Sequence, residues 1–203
     1  MTGTDTFCLY DAQELDVVLL DMARQLAARL HGQPFAMVGI LRRGEPLARM
    51  LQRHYSSLTG EPLPPLYGLK VKRYADDLSL LHPATALSES PELAALDLAA
   101  TPLLVVDDVL YEGHSLLRVC AYLAQLGAHR VHSAVLVDRC VSIQPIHADI
   151  VGIRLQVAPQ DIVECHVPPY EADFRIEVAR HGQHPLSASP SCHVCSGRPP
   201  EQP

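Results

Sequence analysis

The chain lacks any apolar run approaching the roughly 18 residues needed to cross a bilayer, and its N-terminus lacks a basic stretch followed by an apolar one. Neither a membrane span nor a secretory signal is therefore expected. Positive charge is also short. Sixteen Lys and Arg face 23 Asp and Glu, a formal net charge of −7, which gives a polyanion no general attraction. Cysteine is present without a disulfide pattern: Cys8, Cys120, Cys140 and Cys165 are scattered, and Cys120 lies in an apolar helical stretch. They read as reduced thiols, at least one of them buried, and the compartment expected is the cytoplasm. Cys192-His193-Val194-Cys195 is half of a zinc knuckle without its second pair. Zinc wants four ligands, so a thiol-bearing tail is the stronger reading. A weak zinc site at Cys192 and Cys195 would need His181, His184 or a neighbouring subunit.

What is present suffices for one core. Of 203 residues, 48% are hydrophobic, and the simplest division is one domain over 1–180 followed by a flexible Pro, Ser and His-rich tail over 181–203. Leu15, Val18, Leu19, Met22, Ala23, Leu26, Ala27 and Leu30 recur at helical spacing, ending near Gly32 and Pro34. Phe35 to Leu41 reads as a buried strand, and a helix follows from Pro46 with Leu47, Met50, Leu51 and Tyr55 inward. Strands are expected at about 66–72, 103–107, 131–138 and 150–157, with two more near 162–167 and 174–179. The stretch from 73 to 102 has no clean period and is either a lid or a small helical excursion. Strands alternating with helices predict an α/β fold with its site at the carboxyl ends of the strands.

The run Leu103-Leu104-Val105-Val106-Asp107-Asp108-Val109-Leu110-Tyr111-Glu112-Gly113-His114-Ser115 carries the most chemistry. A buried strand ends on two carboxylates and passes through a glycine turn into a helix running from Leu116 to Leu126, which Ser115 can cap and Gly127 can end. Free N–H groups at a helix N-terminus suit a phosphate. Asp107 and Asp108 can accept hydrogen bonds from sugar hydroxyls or help hold Mg²⁺. Paired aspartates also serve as a turn or capping device, and Arg42-Arg43 can be a solvated loop pair.

At these residues the sequence resembles the type I phosphoribosyltransferases, whose signature is an apolar strand, two acids, two apolar residues, any residue, Thr-Gly, any residue, then Thr or Ser. Val38-Gly39-Ile40-Leu41-Arg42-Arg43-Gly44-Glu45 looks like the family's pyrophosphate loop. Tyr74-Ala75-Asp76-Asp77-Leu78 looks like its mobile-loop motif. Val135-Leu136-Val137-Asp138-Arg139 with Ala148-Asp149-Ile150-Val151-Gly152 looks like the base-binding side of the PyrR branch, the pyrimidine operon regulators with uracil phosphoribosyltransferase activity. The likeness covers roughly residues 10 to 180.

The resemblance implies a type I phosphoribosyltransferase-like fold, a mostly parallel central sheet flanked by helices with a small hood or lid. It implies transfer of ribose 5-phosphate from phosphoribosyl pyrophosphate (PRPP) to uracil or a related base, with release of pyrophosphate. Asp107, Asp108 and Arg43 would be catalytic. Val109, Leu110, Tyr111, Glu112, Gly113, His114 and Ser115 would form the PRPP phosphate loop, and Leu41, Arg42, Arg43 and Gly44 the pyrophosphate loop. Lys72, Arg73 and Tyr74 would belong to the lid. Asp138, Arg139, Val151 and Gly152 would bind the base, and Asp107 and Asp108 would serve Mg²⁺ carried by PRPP. The implied partners are PRPP, a nucleobase and further copies of the chain, as a homodimer or larger assembly.

The departures favour a second reading. Glu112 stands where the family has threonine, and Ala75 replaces the lid arginine. A carboxylate about 4 Å from a phosphate charge, at an effective dielectric of ~20, is repelled by about 4 kcal/mol. Cys140-Val141-Ser142-Ile143 replaces Gly-His-Arg-Glu, and His147 and Ile153 replace basic positions, so RNA binding is not expected. The alternative is a catalytically silent regulatory or ligand-sensing protein that keeps the fold and binds a nucleotide or phosphorylated sugar.

Overall fold

In this computed structural model, residues 4–70, 91–158 and 160–181 are described. The expected lid residues Lys72, Arg73 and Tyr74, together with Ala75, lie outside them, as do Cys192 and Cys195 of the tail.

A capping box opens the first helix, α1 (Ala12–Leu30): the Asp11 carboxylate accepts from the Gln13 and Glu14 N–H groups at 2.9 and 3.0 Å, and Glu14 accepts from the Asp11 N–H at 3.0 Å. Its apolar stripe buries Leu15, Leu19, Met22, Leu26 and Leu30, each worth about 1.5–3 kcal/mol as an upper bound. β2 (Ala36–Leu41) leads into α2 (Gly44–Thr59), which starts two residues before the expected proline and ends at Gly60 in the left-handed region, φ 74°. β3 (Leu66–Lys70) and a short α3 (Pro91–Ala94) precede β4 (Leu103–Leu110), α4 (His114–Gln125), β5 (Val131–Asp138) and β6 (Ile150–Arg154). Five strands pair in parallel in the order β3-β2-β4-β5-β6.

The alternation of side chains explains the layers. Along β4, Leu104 and Val106 join the cluster under α1 and α2, while Leu103 and Val105 join the cluster under α4. Strands buried on both faces need a continuous apolar run rather than an alternating one, which is what Leu103 to Val106 supplies.

A second sheet has the order β1-β8-β7, with β1 (Thr4–Tyr10), β7 (Ile162–His166) and β8 (Arg175–His181) antiparallel. It forms the hood. The sequence reading anticipated β7 and β8 and missed β1. The reason is physical: the residues of β1 from Asp5 to Leu9 are all exposed, so no burial pattern marks it. What holds the strand is its pairing to β8, at the far end of the chain.

Two local expectations need correction. Ser115 does not cap α4; Gly113 is the N-cap, with φ 90°, and no side chain bonds the free N–H groups. Val109 and Leu110 are the last residues of β4 rather than loop residues, because β4 keeps pairing with β5 through Leu110↔Asp138. No helix among the described residues is long and apolar enough to cross a membrane.

Candidate functional site

Two glycines bring the acidic and basic loops together. A Cβ on Gly44 would lie 2.5 Å from the Val106 carbonyl oxygen and 3.2 Å from the Asp107 Cα, and one on Gly39 would lie 2.4 Å from the Glu45 Cα. Only glycine lets the start of α2 close onto β2 and the end of β4. The Leu41–Arg42 peptide is cis. The result is a cleft of about 1030 Å³ at the carboxyl ends of the parallel strands, with Arg42, Arg43, Asp107 and Asp108 in its wall and the hood strand β7 across from them.

Asp107 is 4% exposed, and its Oδ1 accepts the Asp108 N–H at 3.0 Å. Asp108 Oδ2 lies 4.0 Å from Arg43 Nη1. Arg43 is held from the other side: its Nε and Nη2 donate to the same Glu171 oxygen at 3.1 and 2.6 Å. The other Glu171 oxygen accepts the Val167 N–H at 2.8 Å. Hydrogen bonding from Arg43 is the main reason the Glu171 carboxyl titrates below its ordinary value, and the same contact raises Arg43. Arg42 lies over the Tyr170 ring, 4.8 Å from its centroid. Cys165, buried beneath this group, is driven well above the ordinary thiol range, first by burial and then by Asp108, so it is an inert core thiol rather than a nucleophile.

Beside the cleft is a second cavity of about 410 Å³, formed by the β4–α4 turn and the first turn of α4. Glu112, Gly113, His114 and Ser115 line it together with Arg118. The turn is pinned: the Glu112 carbonyl accepts from the Ile143 and Gln144 N–H groups at 3.2 Å and from Ser142 Oγ at 3.3 Å. A Cβ on Gly113 would meet Ser142 Oγ at 2.6 Å and Ile146 Cγ2 at 2.8 Å. The Glu112 carboxylate is 44% exposed and sits 3.6 Å from His114 Nε2.

The base-side residues separate. Arg139 lines the cleft and stacks on Tyr111, 4.6 Å from the ring centroid. Asp138 instead accepts the Cys140 N–H at 2.8 Å, supporting a residue with φ 55°. Val151 belongs to the apolar cluster beneath α4. Gly152 faces α1, where an added Cβ would meet Val18 and the Leu136 carbonyl at 2.8 Å. Glu171, Tyr170 and Asp161 line the cleft and were not singled out in the sequence, because they follow no motif and reach the cleft only through the fold of the hood.

The oxygen-only pair Asp107 and Asp108 suits a hard cation such as Mg²⁺. A different group, Glu164, His166 and Glu177 on the hood, brings three ligand atoms within 4.8 Å of one another. Arg175 Nε donates to Glu177 at 2.7 Å there, so the group also reads as an ion-pair network.

A parallel sheet flanked by helices, with a polar cleft at its strand ends, an acidic pair and a glycine turn into a helix, defines a protein of the open-sheet α/β class. The chain belongs to the phosphoribosyltransferase family: the family model described as the phosphoribosyl transferase domain matches residues 9–173. Among its relatives, the bifunctional protein PyrR of Elusimicrobium minutum is 34% identical over 173 residues, covering 82% of this chain and 92% of that protein. The bifunctional protein PyrR of Thermus aquaticus is 31% identical over 172 residues, covering 84% and 93%. The chain is thus a member of the type I phosphoribosyltransferase family similar to PyrR, as its motifs led us to expect. Among solved structures, a hypoxanthine phosphoribosyltransferase of Trypanosoma cruzi superimposes with a TM-score of 0.67 at 16% identity, over 86% of this chain and 91% of that one. One from Staphylococcus aureus gives 0.63 at 15%, over 77% and 80%. These two establish the shared fold.

Proposed function

We propose that the protein is a PRPP-dependent phosphoribosyltransferase that moves ribose 5-phosphate to uracil or a related base and releases pyrophosphate. The observation that carries this reading is the meeting of Asp107 and Asp108 with Arg42 and Arg43 in one cleft, beside a cavity lined by the first residues of α4, whose start no side chain caps. The PyrR relatives support the pyrimidine acceptor, since their shared name denotes a bifunctional protein of that branch.

The division of labour follows from charge. When the bond from ribose C1 to pyrophosphate stretches, the ring becomes cationic and the leaving group gains negative charge, so both ends need stabilisation. Asp107 and Asp108 accept hydrogen bonds from the ribose hydroxyls and hold the ring in register. Arg43, with Arg42 stacked on Tyr170 beside it, faces the departing pyrophosphate. The 5′-phosphate sits against the N–H groups at the start of α4. Asp107 and Asp108 would hold Mg²⁺ arriving with PRPP, and the ion would supply further charge neutralisation. The hood limits water, which would otherwise capture the cationic sugar.

The test is pyrophosphate release with PRPP, Mg²⁺ and a panel of bases headed by uracil. Base-dependent release that disappears in Asp108→Ala and Arg43→Ala supports the reading. Full activity in both variants would move the site elsewhere.

A second reading is favoured by two observations: Glu112 places a carboxylate at the phosphate cavity, and Glu171 already occupies Arg43. On this reading the protein senses a nucleotide or phosphorylated sugar without turning it over. Binding without pyrophosphate release, across the whole panel, is its signature. We also retain a cytoplasmic location, a homo-oligomeric assembly and a separate tail as parts of the proposal; the boundary expected at 181 moves past His181, which pairs with Thr4 at the end of β8.

A further inference from the structure

The hood sheet sets like charges against each other. In the β7–β8 register Glu164 stands directly across from Glu177, and His166 across from Arg175, so the four side chains share one face of the sheet. Two carboxylates facing each other across a strand pair are destabilising without a cation between them. Arg175 meets only part of that need. Its Nε donates to Glu177 Oε1 at 2.7 Å and its Nη1 to Asp173 at 2.8 Å, which leaves Glu177 Oε2 and the Glu164 carboxylate. Both of these close on one ring nitrogen, His166 Nε2, with Glu177 Oε2 at 2.9 Å and Glu164 Oε2 at 3.8 Å. A separate observation marks that nitrogen: it is fully buried and has no hydrogen-bond partner among the described residues. The Glu177 oxygen is near it without the alignment of a hydrogen bond. A buried ring nitrogen pointed at two carboxylates and bonded to neither is a group that a ligand would complete.

We propose that Glu164, His166 and Glu177 form a binding site for a transition-metal dication of the Zn²⁺ kind, separate from the acidic pair of the cleft. Bonds of about 2.0–2.1 Å at tetrahedral angles place ligand atoms about 3.4 Å apart. The three ligand atoms here lie within 4.8 Å of one another, and the two separations that meet at the nitrogen, 2.9 and 3.8 Å, fall on either side of that spacing. Charge agrees with a dication. Glu164, Asp173 and Glu177 face one guanidinium, that of Arg175, which leaves two negative charges when His166 is neutral, the form that ligates a metal. One imidazole nitrogen among carboxylates selects a borderline ion over Mg²⁺, which keeps to oxygen ligands. The Glu164 side chain is 52% exposed, so water reaches the fourth position. Bound there, the ion staples β7, the edge strand of the hood sheet, to β8. The site stands whether or not the cleft turns over PRPP.

The experiment is calorimetric titration of the full chain with Zn²⁺, in a background of Cys192→Ser and Cys195→Ser so that the tail thiols do not take the ion. We expect one equivalent to bind, a melting temperature that rises with Zn²⁺ concentration, and no displacement by a large excess of Mg²⁺. Glu164→Gln and His166→Asn each weaken binding at least about tenfold, whereas Asp108→Ala leaves it unchanged. Co²⁺ in place of Zn²⁺ should give visible absorption without a sulfur-to-metal band in the near ultraviolet. Melting curves taken without metal check that the variants fold, and Glu164→Gln, at an exposed position, carries the test if His166→Asn does not. No binding, or binding that survives both Glu164→Gln and His166→Asn, overturns the proposal and leaves the group an ion-pair network. Loss of binding in Asp108→Ala overturns it by assigning the ion to the cleft, and a sulfur-to-metal band overturns it by assigning the ion to a thiol. Ready displacement by Mg²⁺ also overturns it, since a site without a nitrogen ligand would behave that way.

Discussion

Arg43 and Glu171 form a two-toothed contact across the cleft, Nε and Nη2 reaching one carboxylate oxygen at 3.1 and 2.6 Å. Arg43 stands at the start of α2 and Glu171 follows β7, so the pair ties the main sheet to the hood. Asp108 lies 4.0 Å from the same guanidinium. On the proposed function, a pyrophosphate arriving at Arg43 would compete with a carboxylate already in place, so that the hood contact and ligand binding would draw on one side chain.

Glu171→Gln keeps the shape of the side chain and removes its charge. Partly exposed ion pairs of this kind are worth about 0.2–1 kcal/mol, more when the arginine is engaged through two nitrogens. We expect Glu171→Gln to bind inorganic pyrophosphate about three- to tenfold more tightly than wild type, read by calorimetry with Mg²⁺ present. Weaker binding would mean that Glu171 positions Arg43 for the ligand instead of competing with it.

The same pair has a pH signature. Glu171 titrates below its ordinary value of 4.5 because Arg43 donates to its carboxylate and the Val167 N–H adds a second bond. A carboxyl depressed by folding contributes stability that is fully present above its unfolded pKa and is lost as pH falls through the lower folded value. Wild type should exceed Glu171→Gln in stability at neutral pH, with the difference shrinking below about pH 4.5. Denaturant melts at a series of pH values measure it; a difference that stays constant to strongly acid pH would remove the charge from the explanation.

Much of this architecture is legible from residues alone, and the exceptions have common causes. The run from Leu103 to Asp108 announces a doubly buried strand with carboxylates at its end, because burial on both faces demands unbroken apolar character. The pairing of β1 with β8 leaves no such mark, since β1 is exposed and its partner lies at the far end of the chain. The Arg42-Arg43-Gly44 loop is readable as a cationic turn, but its closeness to Asp107 depends on Gly39 and Gly44 packing against backbone, which is a property of the fold. Glu171 and Asp161 carry no local pattern; only the hood's return over the cleft gives them a place there. Conversely, Gly152 fits a base-binding motif in sequence and serves in the structure as the point where α1 rests on β6.

Gly113 is the residue on which the cavity at the start of α4, the proposed phosphate site, hinges. Its φ of 90° is one that side chains rarely adopt, and a Cβ would press on Ser142 Oγ and Ile146 Cγ2 at 2.6 and 2.8 Å. Gly113→Ala should destabilise the fold by about 1–3 kcal/mol and displace the 142–146 segment that holds the turn. Thermal melts and ribose 5-phosphate titration check both effects together. A stable variant with unchanged binding would show that the turn does not shape the ligand site.

If that cavity takes the 5′-phosphate, as proposed, Glu112 decides how the dianion is received. Rotation of the turn cannot move the residue aside, because its carbonyl holds the Ile143 and Gln144 N–H groups and the Ser142 hydroxyl; only the side chain is free to swing. At 44% exposure the carboxylate is well screened, so the repulsion of about 4 kcal/mol expected for a charge pair 4 Å apart at a dielectric of ~20 falls to roughly 1 kcal/mol. His114, 3.6 Å away, offsets more of it when protonated. Glu112→Thr should consequently raise affinity for PRPP about fivefold at neutral pH, less at pH values where His114 carries its proton, and less at high salt. Ribose 5-phosphate should gain by the same factor and inorganic pyrophosphate by none, since pyrophosphate meets Arg43 rather than this turn. A gain shared equally by pyrophosphate would place the effect in the overall field of the cleft; no gain for either ligand would mean that Glu112 points to water and that its carboxylate is compatible with an ordinary phosphate site.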